Sequence, residues 1–231
     1  AITSVTTQTH QQFEIIVVDD GSKDDTAAVC REFGGNVQYI RVERVGLPAA
    51  RNIGAQYASG DYLVFLDADD FLYAEALQIN LYFFDYYPAA VMVSGGHDRI
   101  SQTGELLSTH PGRTVTDDNY EALLQGNYIA MEGAAMYRRE LFPHFHFNTR
   151  LPACEDYDLN LRISSILPVF GHDKIVAAYR MHAGNMSANK SRMLNWALQV
   201  LQSQKPRLKN KEERAAWQQG LINWKQHYGT Q

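Results

Sequence analysis

Cysteine is nearly absent from this chain. Only Cys30 and Cys154 occur in 231 residues, with no Cys-X-X-Cys spacing. That argues against a disulfide framework or a zinc site and fits a reducing compartment. No apolar run approaches the roughly 18 residues that a bilayer-spanning helix needs, so any membrane contact is expected to be peripheral. No signal-peptide pattern is visible. Positive charge is also in short supply: 21 Lys and Arg stand against 26 Asp and Glu, a net charge of −5. Nucleic acid is therefore not an expected partner, since it demands a basic surface. Internal repeats and low-complexity segments are lacking too.

What remains is ordinary for a globular chain with a sizeable core: 45% hydrophobic and 20% charged residues. The length suits one large domain, or one domain with an appendage. Residues 13–20, FEIIVVDD, form a continuous apolar run ending in acid, as a buried parallel strand does. Ser22 and Asp25 have capping-box spacing for a helix reaching about Phe33. Strands follow at 37–42 and 62–67, with a helix from Pro48 to about Ala58 between them. A helix at 74–86 and a strand at 89–94 come next. This alternation predicts an α/β fold with a doubly wound, mostly parallel sheet flanked by helices. Past residue 95 the rhythm loosens into expected hairpin strands, a helix at 117–125, a short strand at 134–138, a helix at 155–165 and a last strand at 175–182. From about Ser191 a basic, Gln-rich pattern carrying Trp196, Trp217 and Trp224 predicts a C-terminal helical appendage, packed on its own domain or serving as an interaction helix.

In such sheets ligands bind at the carboxyl ends of strands, and Asp19, Asp20, Asp67 and Asp69 all fall there. Residues 62–71, YLVFLDADDF, place Asp67, Asp69 and Asp70 within four positions at the end of a core strand. Like charges so close repel, so a cation is expected among them. An Asp-X-Asp pair suits a hard divalent ion that also binds phosphate oxygens; a solvated loop or helix cap is the plainer reading. Asp19 and Asp20 could accept from a base or ribose, or simply close a turn. The run from Gly46 to Gly54, containing Arg51, opens a helix whose N-terminus favours phosphate. It lacks the glycine spacing of a P-loop or dinucleotide fingerprint. Glu155 and Asp156 begin another helix, where acids favour the dipole or serve as a general base. His182 follows a predicted strand, as a structural residue or a metal ligand.

Taken in order, VVDDGSKDDT, GLPAARNIGAQYASGDYLVFLDADD, EDYDLNLRIS and YRMHAGNMS resemble the family 2 glycosyltransferases of GT-A fold over residues 1–187. The resemblance implies a nucleotide-sugar-binding half at 1–95 and an acceptor-binding half at 96–187, with a helical tail at 188–231. It also implies inverting transfer of a sugar, usually from a UDP-linked donor, to an acceptor hydroxyl. The expected acceptor is a saccharide or lipid-linked saccharide in bacterial cell-surface polysaccharide synthesis, handled in the cytoplasm or at the inner membrane face. By position, Asp20 would contact the uracil with Asp19 nearby, Arg51 would line the nucleotide pocket, and Asp67 would face the ribose or the metal. Asp69 would bind Mg²⁺ or Mn²⁺ bridging the diphosphate, with Asp70 in support and His182 reaching the metal or diphosphate. Glu155 and Asp156 match the family's Glu-Asp motif, with Asp156 as the base.

The family's usual opening, a strand of the type Val-Ser-Val-Ile-Ile-Pro-Thr-Tyr-Asn, has no counterpart here. Residues 1–9, AITSVTTQT, resemble the end of the helix that follows it. A chain without that central strand is expected to leave neighbouring backbone groups unpaired unless another segment fills the gap. The alternative function is accordingly a truncated, catalytically impaired nucleotide-sugar-binding module. A sugar nucleotidyltransferase is disfavoured, because its Gly-rich basic loop is not seen.

Overall fold

The structure, a computed structural model, describes residues 1–185 and 188–229. Met186 and Ser187, the end of the YRMHAGNMS motif, lie outside them. After a short helix α1 (Ile2–Thr6), the first half alternates as expected: β1 (Ile15–Asp20), α2 (Thr26–Glu32), β2 (Val37–Val42), α3 (Leu47–Tyr57), β3 (Tyr62–Leu63), β4 (Phe71–Leu72) and α4 (Ala76–Tyr86). The second half holds β5 (Met92–Ile100), β6 (Leu106–His110), α5 (Asn119–Gln125), β7 (Ala135–Arg138), α6 (Glu155–Ser164), β8 (Val169–Arg180), α7 (Lys190–Ser203) and α8 (Lys211–Gly229).

The α/β architecture carries mixed strand directions. β1 pairs parallel with β2, setting Asp19 opposite Arg41. A second sheet runs β3-β7-β5-β8-β4, with β6 added on β5. In it β5 and β8 are parallel, while β3, β4, β6 and β7 join antiparallel. Among the described residues only β5 and β6 form a hairpin with a brief connection, which parallel pairing does not allow; β3–β7, β5–β7 and β4–β8 pair segments far apart in the chain. The expected strand at 62–67 pairs only over Tyr62–Leu63. The Ser22 capping box does not form, because α2 starts later, at Thr26. Ser22 N–H donates instead to Asp19 Oδ1, and Asp24 takes the Thr26 N–H.

Two apolar layers cover the sheet. One gathers Leu123, Tyr137, Phe147, Tyr157, Leu161 and Leu201 from α5, β7, α6, α7 and the loops between them. The other joins α4 to the opposite face through Phe84, Val93, Phe170 and Val176. The helical tail is bound into the first layer. Trp217 Nε1 donates to Leu201 O at 2.8 Å, and Trp224 Nε1 lies 3.3 Å from the Tyr157 hydroxyl. At the α5–α8 crossing a Cβ on Gly220 would stand 1.9 Å from Leu124 O, so only glycine permits this approach. Among the described residues no helix is long and apolar enough to cross a membrane.

Candidate active site

The expected site residues come from the end of β1, from α3, from the turn between β3 and β4, from the start of α6 and from the end of β8 and its exit. β1 ends in two acids that the fold itself engages. Asp19 is buried. Its Oδ1 accepts from Ser22 N–H at 2.7 Å, and its Oδ2 accepts from the Tyr39 hydroxyl and from Arg41 Nη1, the latter at 3.2 Å. The Tyr39 hydrogen bond, with the Ser22 amide and Arg41 beside it, holds the Asp19 carboxyl below its ordinary value. Asp20 accepts from the Val45 and Gly46 amides at 2.5 and 2.8 Å. Gly46 takes φ +87° as it precedes α3, a geometry that glycine adopts without strain. Asp20 thereby ties the β1 end to the start of the Arg51 helix.

Arg51 is the hinge of the arrangement. Its Nη2 donates to Asp67 Oδ1 and its Nη1 to Glu155 Oε1, both at 2.8 Å, while its guanidinium lies over the Phe147 ring at 5.4 Å. The planar fork can serve two carboxylates at once, which an ammonium cannot do in this geometry. Asp67, from the YLVFLDADDF run, and Glu155, from the Glu-Asp motif, are thus joined through one cation. Burial works against the Arg51 charge, yet Asp67, Glu132 and Glu155 together raise its pKa.

Asp156 is half-buried beside this pair. Loss of water raises its pKa, opposed by Arg51 and by the backbone amides of Tyr157 and Asp156 at the helix start. Burial, and then Asp156, raises Glu155 as well. Cys154 precedes the helix in a left-handed conformation, φ +60°, rare for a residue with a side chain. Such backbone gathers at functional sites. The Cys154 thiol is pushed up by burial and stays protonated.

The Asp cluster divides into three environments. Asp67 binds Arg51. Asp70 is buried, accepts from Arg180 N–H at 2.8 Å, and is pushed up to about 7 by burial, against the Arg180 amide. Asp69 faces outward and meets His182: Asp69 Oδ2 and His182 Nε2 are 2.7 Å apart. His182 Nδ1 accepts from Gly184 N–H at 3.1 Å, so its proton sits on Nε2 and points at Asp69. Among the described residues no third His, Cys, Asp or Glu joins them as a metal-ligating group. An oxygen and an imidazole nitrogen, both partly open to solvent, suit a cation that draws its other ligands from phosphate and water.

The structure brings the expected site residues into two clusters, Arg51–Asp67–Glu155–Asp156 and Asp69–Asp70–His182, while Asp19 and Asp20 stand at the β1 end, bonded to Ser22, Tyr39, Arg41 and the Val45 and Gly46 amides. Sequence reasoning passed over Glu132, Tyr39 and Arg180. Glu132 had a legible signal, an acid inside the apolar run YIAMEGAAMY. Tyr39 had none, because its role follows from strand register, and Arg180 stood in YRMHAGNMS with no role assigned to it.

A mixed α/β sheet with these motifs at its strand ends defines a GT-A-type glycosyltransferase fold. S. aureus TarS in complex with UDP-GlcNAc superposes with a TM-score of 0.75 over 98% of this chain and 68% of that one, at 17% identity. The Glycosyl transferase family 2 model matches residues 1–145, and the chain belongs to that family. An uncharacterized glycosyltransferase of Rickettsia conorii is 31% identical over 82% of this chain and 32% of its own length. Chondroitin synthase of Escherichia coli is 26% identical over 82% of this chain and 28% of its own. The chain spans about a third of the length of these curated relatives.

Proposed function

We propose that this chain is the catalytic domain of an inverting, metal-dependent glycosyltransferase that moves a sugar from a UDP-linked donor to an acceptor hydroxyl. The observation that carries the reading is Arg51 held between Asp67 and Glu155, which fastens the nucleotide-side motif to the helix bearing Asp156. Asp156 takes the acceptor proton as that oxygen attacks the anomeric carbon from the face opposite the leaving diphosphate, giving inversion. Its partial burial and the helix-start amides suit a carboxylate that accepts a proton in the transition state. Asp19 and Asp20 shape the base end of the pocket, and Arg51 and Asp67 its ribose end. Asp69 and His182 would hold Mg²⁺ or Mn²⁺, with Asp70 buried in support behind them; when bound, the ion stabilises negative charge on the departing diphosphate.

The acceptor is a saccharide or lipid-linked saccharide of a bacterial surface polymer, met in the cytoplasm at the inner membrane face. What supports this is the naming of the relatives, among them a chondroitin synthase and the GlyA glycosyltransferase of Streptococcus pneumoniae. Calorimetric titration with UDP, with and without Mn²⁺ and with GDP as control, tests the donor site, and a transfer assay on the same preparation tests turnover. Metal-dependent, UDP-selective binding with turnover is expected. Binding without transfer or donor hydrolysis would leave a nucleotide-sugar-binding module instead.

A further inference from the structure

Glu132 sits beneath the Arg51–Glu155 pair and takes no part in the chemistry above. It is 5% exposed, and its Oε2 is buried without a hydrogen-bond partner. Its Oε1 lies 2.9 Å from the Tyr137 hydroxyl, which lies 2.8 Å from Asn160 Oδ1. Tyr137 and Asn160 are both fully buried. Asn160 stands one turn beyond Asp156 on α6, so this chain of polar groups runs under the proposed base.

The phenol has one proton and two neighbours that both ask for it. If Tyr137 donates to Asn160, Glu132 must itself donate to the Tyr137 oxygen, and so must be protonated. Turning the Asn160 amide over would supply a proton from Nδ2, which is buried without a partner as it stands, and would free the phenol proton for Glu132. It would also leave Glu132 ionised among anions. The titratable and charged groups that face Glu132 are Arg51 from α3, Tyr137 from β7, and Glu155 and Asp156 from α6. Arg51 already answers Asp67 and Glu155 directly. A charged Glu132 would add a further buried anion with no cation of its own, which is expensive.

We propose that Glu132 is held as the neutral carboxylic acid, donating to Tyr137 Oη, and that its neutrality keeps the neighbouring Asp156 in the charged form a base requires. Glu132 is then a positioning residue of the site, acting on Asp156 through charge. Burial pushes its carboxyl up to about 8, with Arg51 opposing and Asp156 adding to the rise, in accord with an Oε2 that is buried without a partner and an Arg51 already engaged by two other carboxylates. The second half of the proposal rests on Asp156 as the base; the first half does not.

Infrared difference spectroscopy of the full chain at pH 7, wild type against Glu132→Gln, tests the first half without any assay of transfer. A protonated-carboxyl C=O band that shifts in D₂O and disappears in the variant is expected. Tyr137→Phe, which removes the acceptor of that proton, should shift the band and so assigns it should Glu132→Gln not fold. Absence of the band, or a band that neither substitution moves, overturns the proposal. The acid limb of the kcat/KM profile tests the second half. With Glu132 neutral, Glu132→Gln leaves that limb in place. A downward move by about one pH unit would mean that an anion had been removed, and would overturn it. Loss of the acid limb in Asp156→Asn alone keeps a failure of the base assignment distinct from a failure at Glu132.

Discussion

Asp69 Oδ2 and His182 Nε2 lie 2.7 Å apart although 113 residues separate them in sequence. The pairing brings the turn between β3 and β4 against the exit of β8. The geometry uses the Nε2 proton, so a cation taken up here replaces that proton as the partner of both groups. Asp69→Ala is therefore expected to remove most of the Mn²⁺ dependence of UDP binding, with affinity in Mn²⁺ falling about tenfold or more, equivalent to roughly 1.4 kcal/mol. Calorimetry with and without the ion measures it. Equal affinity in wild type and variant under both conditions would take Asp69 out of the metal site.

Asp156→Asn separates chemistry from binding. The amide keeps the size of the side chain and cannot accept a proton from the acceptor hydroxyl. Transfer is expected to fall by about 10²–10⁴-fold, the usual contribution of a general base. UDP affinity should stay within about twofold, because Arg51 and Asp67 are untouched, a margin of under 1 kcal/mol. Parallel loss of both quantities would show that Asp156 holds the donor or the fold.

The fold and the rim of the site were legible in particular features. IIVVDD and YLVFLDADD are both apolar runs ending in acid; the first forms β1 up to Asp20, while the second pairs as a strand only over Tyr62–Leu63 and carries its acids in the turn beyond. The environments of the acids were not legible. Asp67, Asp69 and Asp70 are near neighbours in sequence, yet one binds a buried guanidinium, one faces solvent and His182, and one is buried against a backbone amide. Which is which depends on where α3 and β8 pass, a tertiary matter. Pairing in the second sheet was hidden for a similar reason, since β3 and β4 are too short for a period to declare their direction. The spacing of Trp217 and Trp224 left the tail's partner open, and the Gly220 crossing decided it.

Arg51→Lys tests the joint between the two halves of the site. A single ammonium on a thinner stem cannot reach Asp67 and Glu155 together, and either buried Glu155 or the more exposed Asp67 would lose its partner. Loss of the buried Glu155 pair costs about 3–5 kcal/mol, and loss of the more exposed Asp67 pair less. The midpoint of urea unfolding should fall with an unchanged slope, and UDP affinity should fall with it. An unmoved midpoint would mean that water or relaxation satisfies the freed carboxylate, and that Arg51 is not structural.

His172 predicts how the fold answers to acid. It is 1% exposed, its ring stacks on Phe83 at 4.3 Å, Nδ1 accepts from Lys174 N–H at 3.2 Å, and Nε2 meets Asn80 Oδ1 at 2.9 Å. The neutral tautomer with its proton on Nε2 satisfies both neighbours. A second proton on Nδ1 would face the Lys174 amide. Burial accordingly lowers the His172 pKa to about 4, and lowers buried His97 to about 4 as well. In the unfolded chain both rings titrate near 6.5. Between those values the unfolded state binds more protons than the native one, so stability is full above pH 6.5 and drains away as pH falls toward 4. Each ring accounts for about 3 kcal/mol over that window. In His172→Gln the slope of unfolding free energy against pH from 6.5 to 4 should lose about half of the part that these two histidines supply, whatever the variant's stability at pH 7. A slope equal to that of the wild type would show that the His172 ring is charged in the folded protein, and that its bond to Asn80 is one of a cation.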